Sequence, residues 1–152
     1  MTRKIEALLA EYGESHQNPT NKAVHWICVP VIVWTVMAGL WSLPVPAFMG
    51  GVDWLVVVLV LALVYYLALS VTLAVGVAAY AALGFWIITL VAGAGWSVWQ
   101  VAAVLFVAAW AGQFWGHKVE GKKPSFFKDI QFLLIGPAWL ISFIYKRAGI
   151  PI

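Results

Sequence analysis

A long uncharged run limits the fold more than any other feature of the sequence. From Trp54 to Trp115 no side chain is charged. A helix that spans a bilayer needs about 20 apolar residues, so this run is long enough for three spans. The chain has 152 residues and is 64% hydrophobic and 10% charged, whereas soluble domains average about 25% charged residues. The sequence therefore predicts an all-α, polytopic membrane bundle that forms a single domain over residues 1–152.

Four transmembrane helices are predicted, over residues 22–42, 53–73, 75–93 and 97–118. The pair Asn18-Pro19 predicts that the first helix begins just before its span, because Asn caps helices and Pro suits their first position. Asp53 is predicted to cap the second helix at the outer interface. The turn between the second and third spans, around Ser70 to Gly76, is only weakly marked.

Two shorter segments flank the spans. Residues 3–13 predict an amphipathic helix that ends at Gly13, with its apolar side chains on one face. These side chains are Ile5, Leu8, Leu9 and Tyr12. Residues 125–147 contain an apolar stretch that is short for a span and is interrupted by Gly136-Pro137. We predict that this segment forms a pair of helices that is interfacial or re-entrant in the inner leaflet.

The distribution of basic residues predicts the orientation. An even number of crossings places the basic residues before the first span and after the fourth on one side, which the positive-inside rule assigns to the cytoplasm. These residues are Arg3, Lys4, Lys22, Lys118, Lys122, Lys123 and Lys128. Both termini are therefore predicted to be cytoplasmic. The composition, rich in Ala, Val and Gly, favours a bacterial inner membrane over the endoplasmic reticulum.

Composition also argues against several functional classes. Cys28 is the single cysteine, so an intrachain disulfide and a cysteine-based zinc site are excluded. No basic stripe is interleaved with aromatic residues, which argues against binding of nucleic acid. The spans lack charge pairs near the middle of the membrane, which makes a transporter a weaker interpretation.

All three histidines lie at the cytoplasmic ends of the predicted spans. In a helix that starts near Pro19, Asn21 and His25 share a face, and His16 lies just before the cap, where it can fold back over the helix start. At the end of the fourth span, the side chains that share a face are Gln113, His117 and Glu120. Four-span topology brings both faces to one membrane depth, so three imidazoles and one carboxylate can converge.

This convergence predicts a metal site. Nitrogen and oxygen ligands with open positions suit non-haem Fe(II). We take His16, His25, His117 and Glu120 as the candidate metal-binding and catalytic residues, although Glu120 could instead pair with Lys118 or Lys123. The side chains predicted to hold the imidazoles in one tautomer are Asn18, Asn21 and Gln113. Lys118 or Lys123 could hold a substrate carboxylate.

These motifs resemble a membrane family of 2-hydroxy fatty acid dioxygenases, long catalogued as a domain of unknown function. The resemblance covers nearly the whole chain, and its parts occur in order between hydrophobic spans. The residues on which it rests are Tyr12, His16, Asn18, Asn21, His25, Pro30, Trp110, Gln113, Gly116, His117, Glu120, Gly121, Pro124, Gly136 and Pro137. Two positions depart from the family pattern, namely Cys28, where a small residue such as Gly is expected, and Ser125, where Ala is usual.

The resemblance implies an Fe(II)-dependent enzyme of fatty-acid α-oxidation that uses O2 to convert a 2-hydroxy fatty acid to the acid one carbon shorter. It implies that His16, His25 and His117 are the iron ligands. It also implies that Glu120 is either a fourth ligand or a hydrogen-bonding partner of the ligands. The implied partners are a 2-hydroxy long-chain fatty acid, O2 and membrane lipid.

Two other interpretations remain open at this point. His25 and His117 on neighbouring spans could hold a haem in an electron-transfer protein. A non-catalytic lipid-binding membrane protein would bind no metal and would tolerate loss of the histidines.

Overall fold

The computed structural model describes residues 4–152, and these residues form six α-helices without a β-strand. The helices are α1 (Lys4–Gly13), α2 (Pro19–Trp41), α3 (Trp54–Leu69), α4 (Val71–Gly93), α5 (Val98–Glu120) and α6 (Phe132–Ala148). One-turn 3-10 helices lie at Ala47–Met49 and Ser125–Phe127. The predicted all-α class is confirmed, while Arg3, which belonged to the predicted amphipathic helix, lies outside the described residues.

Three helices, α2, α4 and α5, are long and apolar enough to cross a membrane. Much of their apolar surface, and that of α3, faces outward, and side chains such as Leu61, Val64, Val104 and Val107 are more than half exposed. Soluble proteins rarely expose apolar patches of this extent. The structure is therefore that of a helical membrane bundle.

The second predicted span is shorter than expected. Helix α3 has 16 residues, which gives a length of about 24 Å at 1.5 Å per residue. It ends because Ser70 takes an extended conformation and its side chain caps α4 by accepting a hydrogen bond from the Leu73 N–H. Residues 71–73, predicted to belong to the second span, are thus the first turn of α4. The cap at Asp53 is as predicted, since its side chain accepts from the Val56 N–H.

The predicted break at Gly136-Pro137 is wrong, because α6 continues through both residues. A proline inside a helix removes one hydrogen bond of the helix and crowds the carbonyl four residues earlier, but neighbouring helices and side chains make prolines tolerable in membrane helices. Gly136 lies against the Tyr12 ring, and the Tyr66 hydroxyl donates to the Leu134 carbonyl at 2.6 Å. The segment is therefore one 3-10 turn followed by one helix rather than a pair of helices.

Helices α2 and α5 form the most extensive helix pair of the fold. Two glycines spaced four apart on α5, Gly112 and Gly116, allow the close approach, which is a common device of membrane helices. A Cβ atom on Gly112 would lie 2.7 Å from the Cys28 Sγ, and one on Gly116 would lie 2.6 Å from the Asn21 Oδ1. This pairing holds the start of α2 against the end of α5.

Helix α1 packs on α6 with the predicted face, since Ile5, Leu8, Leu9 and Tyr12 are its buried residues. At the other end of α6, the Tyr145 hydroxyl donates to the Thr72 carbonyl in the first turn of α4. Helices α1 and α6 thus cover the end of the bundle where α2 begins and α5 ends.

Candidate metal centre

The three histidines meet at this covered end of the bundle. His16 lies in the loop between α1 and α2, His25 lies in the second turn of α2, and His117 lies in the last turn of α5. Their exposed fractions are 0%, 1% and 5%, respectively. One ring nitrogen from each lies within 4.8 Å of the other two. Among residues 4–152, these three histidines are the group of side chains whose composition and spacing fit a metal site.

Backbone carbonyl groups orient all three imidazoles. The Nδ1 atoms lie at hydrogen-bonding distance from the carbonyl oxygens of Tyr12 (2.6 Å, from His16), Asn21 (3.3 Å, from His25) and Lys122 (3.2 Å, from His117). A carbonyl oxygen can only accept, so each Nδ1 is assigned the proton. The lone pair of each imidazole is therefore on Nε2, the tautomer that a metal ligand needs.

The Nε2 atoms of His16 and His25 are 2.8 Å apart. With both protons on Nδ1, two lone pairs face each other at this distance, and a cation shared between the two nitrogens would make the contact favourable. At a metal–nitrogen distance of about 2.1 Å, adjacent nitrogens of an octahedral site are separated by about 3.0 Å. The donor set and its spacing therefore fit a metal ion held by imidazole nitrogens.

Burial keeps His16 neutral. Removal from water lowers the pKa of His16 to about 4, even though the hydrogen bond to the Tyr12 carbonyl opposes this shift. Burial likewise raises the pKa of the Tyr12 phenol, which stays protonated. The loop that supplies His16 therefore contributes a neutral nitrogen donor rather than a cation at physiological pH.

Two aromatic rings form a wall around His16. The Tyr12 ring stacks on the imidazole with centroids 4.3 Å apart, and the Trp139 ring of α6 lies 5.3 Å away. Because these rings exclude water from the imidazole, they strengthen its interaction with any bound cation. In the sequence, Tyr12 was noted as part of the apolar face of the first helix and through the family pattern, whereas Trp139 has no motif or charge that would have revealed it.

Glu120 holds the loop that presents His16. Its Oε1 accepts the Gln17 N–H at 2.9 Å, and its Oε2 accepts the Asn18 N–H at 2.8 Å and the Asn21 side-chain amide at 3.1 Å. A carboxylate at the start of α2 is also stabilised by the helix dipole. Of the two roles implied for Glu120, the structure favours a hydrogen-bonding partner, since the three histidines form the metal-site cluster without it.

The amide side chains predicted to hold the imidazoles do not do so. Asn18 caps α2 by accepting from the Thr20 N–H, and the Asn21 side-chain amide donates to the Ser15 carbonyl and to Glu120. Asn21 orients His25 through its backbone carbonyl instead. Gln113 makes no hydrogen bond to the described residues, and its Oε1 is buried without a partner. Backbone carbonyl groups orient the imidazoles instead of these side chains. The backbone near each histidine already places a carbonyl oxygen within hydrogen-bonding distance of the ring.

Neither lysine proposed for a substrate carboxylate lies beside the histidines. Lys118 is exposed, and Lys123 lines a neighbouring open depression together with Glu11, Glu14 and Lys128 rather than the cavity beside His25 and His117. The Lys122 ammonium group donates to the Glu14 carbonyl at 2.8 Å and so fastens the end of α5 to the loop after α1.

A cavity of about 60 Å³ lies directly beside His25 and His117. Its other walls are mostly apolar and come from α2, α5, α6 and the segment between α5 and α6. They include Tyr12, Val29, Ile32, Val33, Trp110, Gln113, Phe126, Phe132 and Leu133. An apolar cavity beside three buried histidines is the kind of site at which proteins bind small molecules.

A family model described as 2-hydroxy-palmitic acid dioxygenase Mpo1-like matches residues 2–148. The chain belongs to this family. No curated protein and no solved structure matches it significantly. The family name agrees with the resemblance of the two histidine motifs and with the metal-site geometry, and it classes the chain with dioxygenases.

The two departures from the family pattern have local explanations. The Cys28 sulfur fills the space left by Gly112 where α2 and α5 approach each other. The Ser125 hydroxyl forms a 2.5 Å hydrogen bond with the Ser15 hydroxyl, which lies next to His16. Ser125 thus ties the segment after α5 to the histidine loop, and neither departure removes a metal-site residue.

Replacing Glu120 with alanine is expected to weaken metal binding by about 10- to 100-fold, the usual effect of losing a group that positions a ligand. The change leaves the Gln17 and Asn18 N–H groups of the His16 loop without their acceptor and removes one partner of the Asn21 amide, while all three imidazoles remain. Metal affinity is measured by competition with a chelator of known affinity.

The matched control is Glu14→Gln, an exposed side chain on the same loop, which should leave affinity unchanged. Equal affinities for Glu120→Ala and the unmodified protein would contradict the positioning role.

Proposed function

We propose that this protein is a non-haem Fe(II) dioxygenase of fatty-acid α-oxidation. Its substrate is a 2-hydroxy long-chain fatty acid, and the bond between C1 and C2 is cleaved. One O2 converts the acid to the acid one carbon shorter, carbon dioxide and water, which balances atoms and electrons without an added reductant. The observation that supports this most directly is the set of three buried imidazoles, each with a ring nitrogen within 4.8 Å of the other two.

Iron is favoured over other metals by the reaction together with the ligands. Imidazole suits Zn, Cu, Fe and Ni, but zinc has no redox chemistry, and a dioxygenase needs a metal that exchanges electrons with oxygen. When bound, Fe(II) would supply that chemistry. His16, His25 and His117 would hold it, which leaves open positions for substrate and O2. The haem alternative is disfavoured, because His16 lies against both other imidazoles and leaves no space for a porphyrin between His25 and His117.

The protein's own residues bind and orient the substrate. The apolar walls formed by Val29, Ile32, Val33 and Leu133 accept the part of the alkyl chain nearest the head group. The aromatic rings of Tyr12 and Trp139 keep water from the imidazoles. A site at the end of the spans suits an amphiphile whose tail already lies in the bilayer.

We further propose that residues 1–152 act as one membrane domain with both termini in the cytoplasm. Basic residues cluster at the end of the bundle that contains the histidines, as the positive-inside rule requires for a cytoplasmic face. The composition favours a bacterial inner membrane as the location.

The test combines metal analysis with an oxygen-initiated reaction. Protein purified without oxygen should contain about one iron per chain and lack the strong visible absorption of haem. After a chelator removes the metal, activity should disappear, and Fe(II) but not Zn(II) should restore it. The assay follows conversion of 2-hydroxypalmitate to pentadecanoate when air is admitted.

Other results would favour the alternatives. Strong visible absorption would indicate a haem protein. Protein that holds no metal after anaerobic purification and leaves 2-hydroxypalmitate unchanged with added Fe(II) would indicate a non-catalytic lipid-binding protein.

A further inference from the structure

Two polar side chains that line the cavity beside the histidines each carry a buried atom without a hydrogen-bond partner among the described residues. These atoms are the Oε1 of Gln113 and the indole Nε1 of Trp110. Gln113 is only 6% exposed. A buried polar group without a partner costs about 1–3 kcal/mol, so a pair of them in one cavity indicates a ligand that completes them.

The two atoms differ in hydrogen-bonding character. The Gln113 carbonyl oxygen accepts, and the Trp110 N–H donates. The two residues are three apart on α5, and His117 follows Gln113 by four, so all three project from one face. Gln113 and Trp110 line the same cavity as His25 and His117. The cavity thus offers an acceptor and a donor beside the two imidazoles, between apolar walls.

We propose that Gln113 and Trp110 recognise the head group of a 2-hydroxy acid. The 2-hydroxyl group donates its hydrogen bond to the Gln113 Oε1, and a carboxylate oxygen accepts one from the Trp110 Nε1. This inference rests on the proposed function, and it assigns the preference for hydroxylated acids to Gln113. An unsubstituted fatty acid would leave the Gln113 oxygen buried and unpaired, and sites built around such a group reject analogues that lack the matching donor.

The arrangement also accounts for the absence of a cation from the described lining of this cavity. Trp110 is held by rings on two sides, with Phe126 at 5.3 Å and Phe114 at 5.6 Å between centroids. This packing fixes the direction of the indole N–H. Phe126 belongs to the 3-10 turn that follows α5, so the same turn that closes the cavity also positions the donor.

Binding measurements on iron-loaded protein without oxygen separate recognition from turnover. Gln113→Met keeps the length of the side chain and removes the acceptor. We expect it to weaken binding of 2-hydroxypalmitate by about 10-fold, the value of one hydrogen bond, and to leave binding of palmitate within 2-fold. Trp110→Phe keeps most of the ring and removes the donor, so it should weaken the binding of both acids by a similar factor.

Matched controls lie on the same helix. Gln100→Met and Trp115→Phe make the same chemical changes at exposed positions of α5 and should leave both affinities unchanged. The assignment of Gln113 would be overturned if Gln113→Met weakened binding of the two acids equally, or if it changed neither affinity. Unchanged affinities in Trp110→Phe would overturn that of Trp110.

A second measurement needs no variant and no metal. Chelated wild-type protein should bind 2-hydroxypalmitate about 10-fold more tightly than 2-fluoropalmitate, because fluorine is similar in size to a hydroxyl group but cannot donate. Equal affinities would contradict recognition by Gln113. If iron-loaded wild-type protein oxidises 2-hydroxypalmitate while Gln113→Met binds it normally, only this inference fails. If wild-type protein binds neither iron nor the acid, the proposed function fails as well.

Discussion

Replacing His25 with alanine is expected to remove tightly bound iron and to reduce turnover of 2-hydroxypalmitate by at least about 1000-fold. Metal polarisation of a substrate is worth several kcal/mol, and each 1.4 kcal/mol is a factor of ten in rate. His25 is 1% exposed and its Nε2 is 2.8 Å from that of His16, so nothing else can take its place. The same result is expected for His117→Ala. Iron per chain and the initial rate after air is admitted are the measurements.

The control for this prediction is Trp26→Ala, the next residue on α2. It removes a larger side chain, but Trp26 is 42% exposed and lies outside the cluster, so iron content and rate should be retained. Elution volume in detergent shows whether each variant is folded. A folded His25→Ala protein with full activity would end the assignment of His25 as a ligand.

Replacing Gly116 with alanine is expected to destabilise the protein by about 1–3 kcal/mol, the usual cost of overpacking a close contact. The new Cβ would lie 2.6 Å from the Asn21 Oδ1 and 3.2 Å from the Val24 Cγ1. Asn21 links the start of α2 to Glu120, and α5 supplies His117 one residue later. Separation of these helices should therefore lower the melting temperature and the iron content together.

Gly39→Ala is the matched control. Gly39 lies inside α2, and a Cβ there would meet nothing within 4 Å. Alanine favours a helix interior over glycine by about 0.5–1 kcal/mol, so this variant should melt at the same temperature or slightly higher and keep its iron. If Gly116→Ala behaved like Gly39→Ala, the close contact between α2 and α5 would not position the metal site.

Much of the site could be predicted from sequence because two periodicities were visible. Runs of apolar residues predicted four apolar helices, of which three are long enough to cross a membrane, and the 3.6-residue repeat placed Gln113 and His117 on one face. An even number of crossings then brought the start of α2 to the end of α5. The Asn18-Pro19 pair located the start of α2 correctly, because a cap is a local property of the chain.

The remaining features depend on contacts that no local pattern contains. Helix α3 is apolar on every side, so periodicity could not show where it ends, and the capping side chain of Ser70 decides this. Each imidazole is oriented by a backbone carbonyl group. Because every residue type has such a group, the sequence could not identify these partners. Gln113 was assigned to the imidazoles because its spacing fitted, but its amide oxygen lines the cavity without a partner.

The wide separation of the three nitrogen donors along the chain has a consequence for biosynthesis. His16 and His25 leave the ribosome early, whereas His117 follows only after the intervening helices have been made. A nascent or truncated polypeptide therefore presents two imidazoles at most, too few to retain the cation tightly. Under the proposed function, the three-histidine site can form only after α5 has been made, so unfinished copies would not hold the redox-active metal.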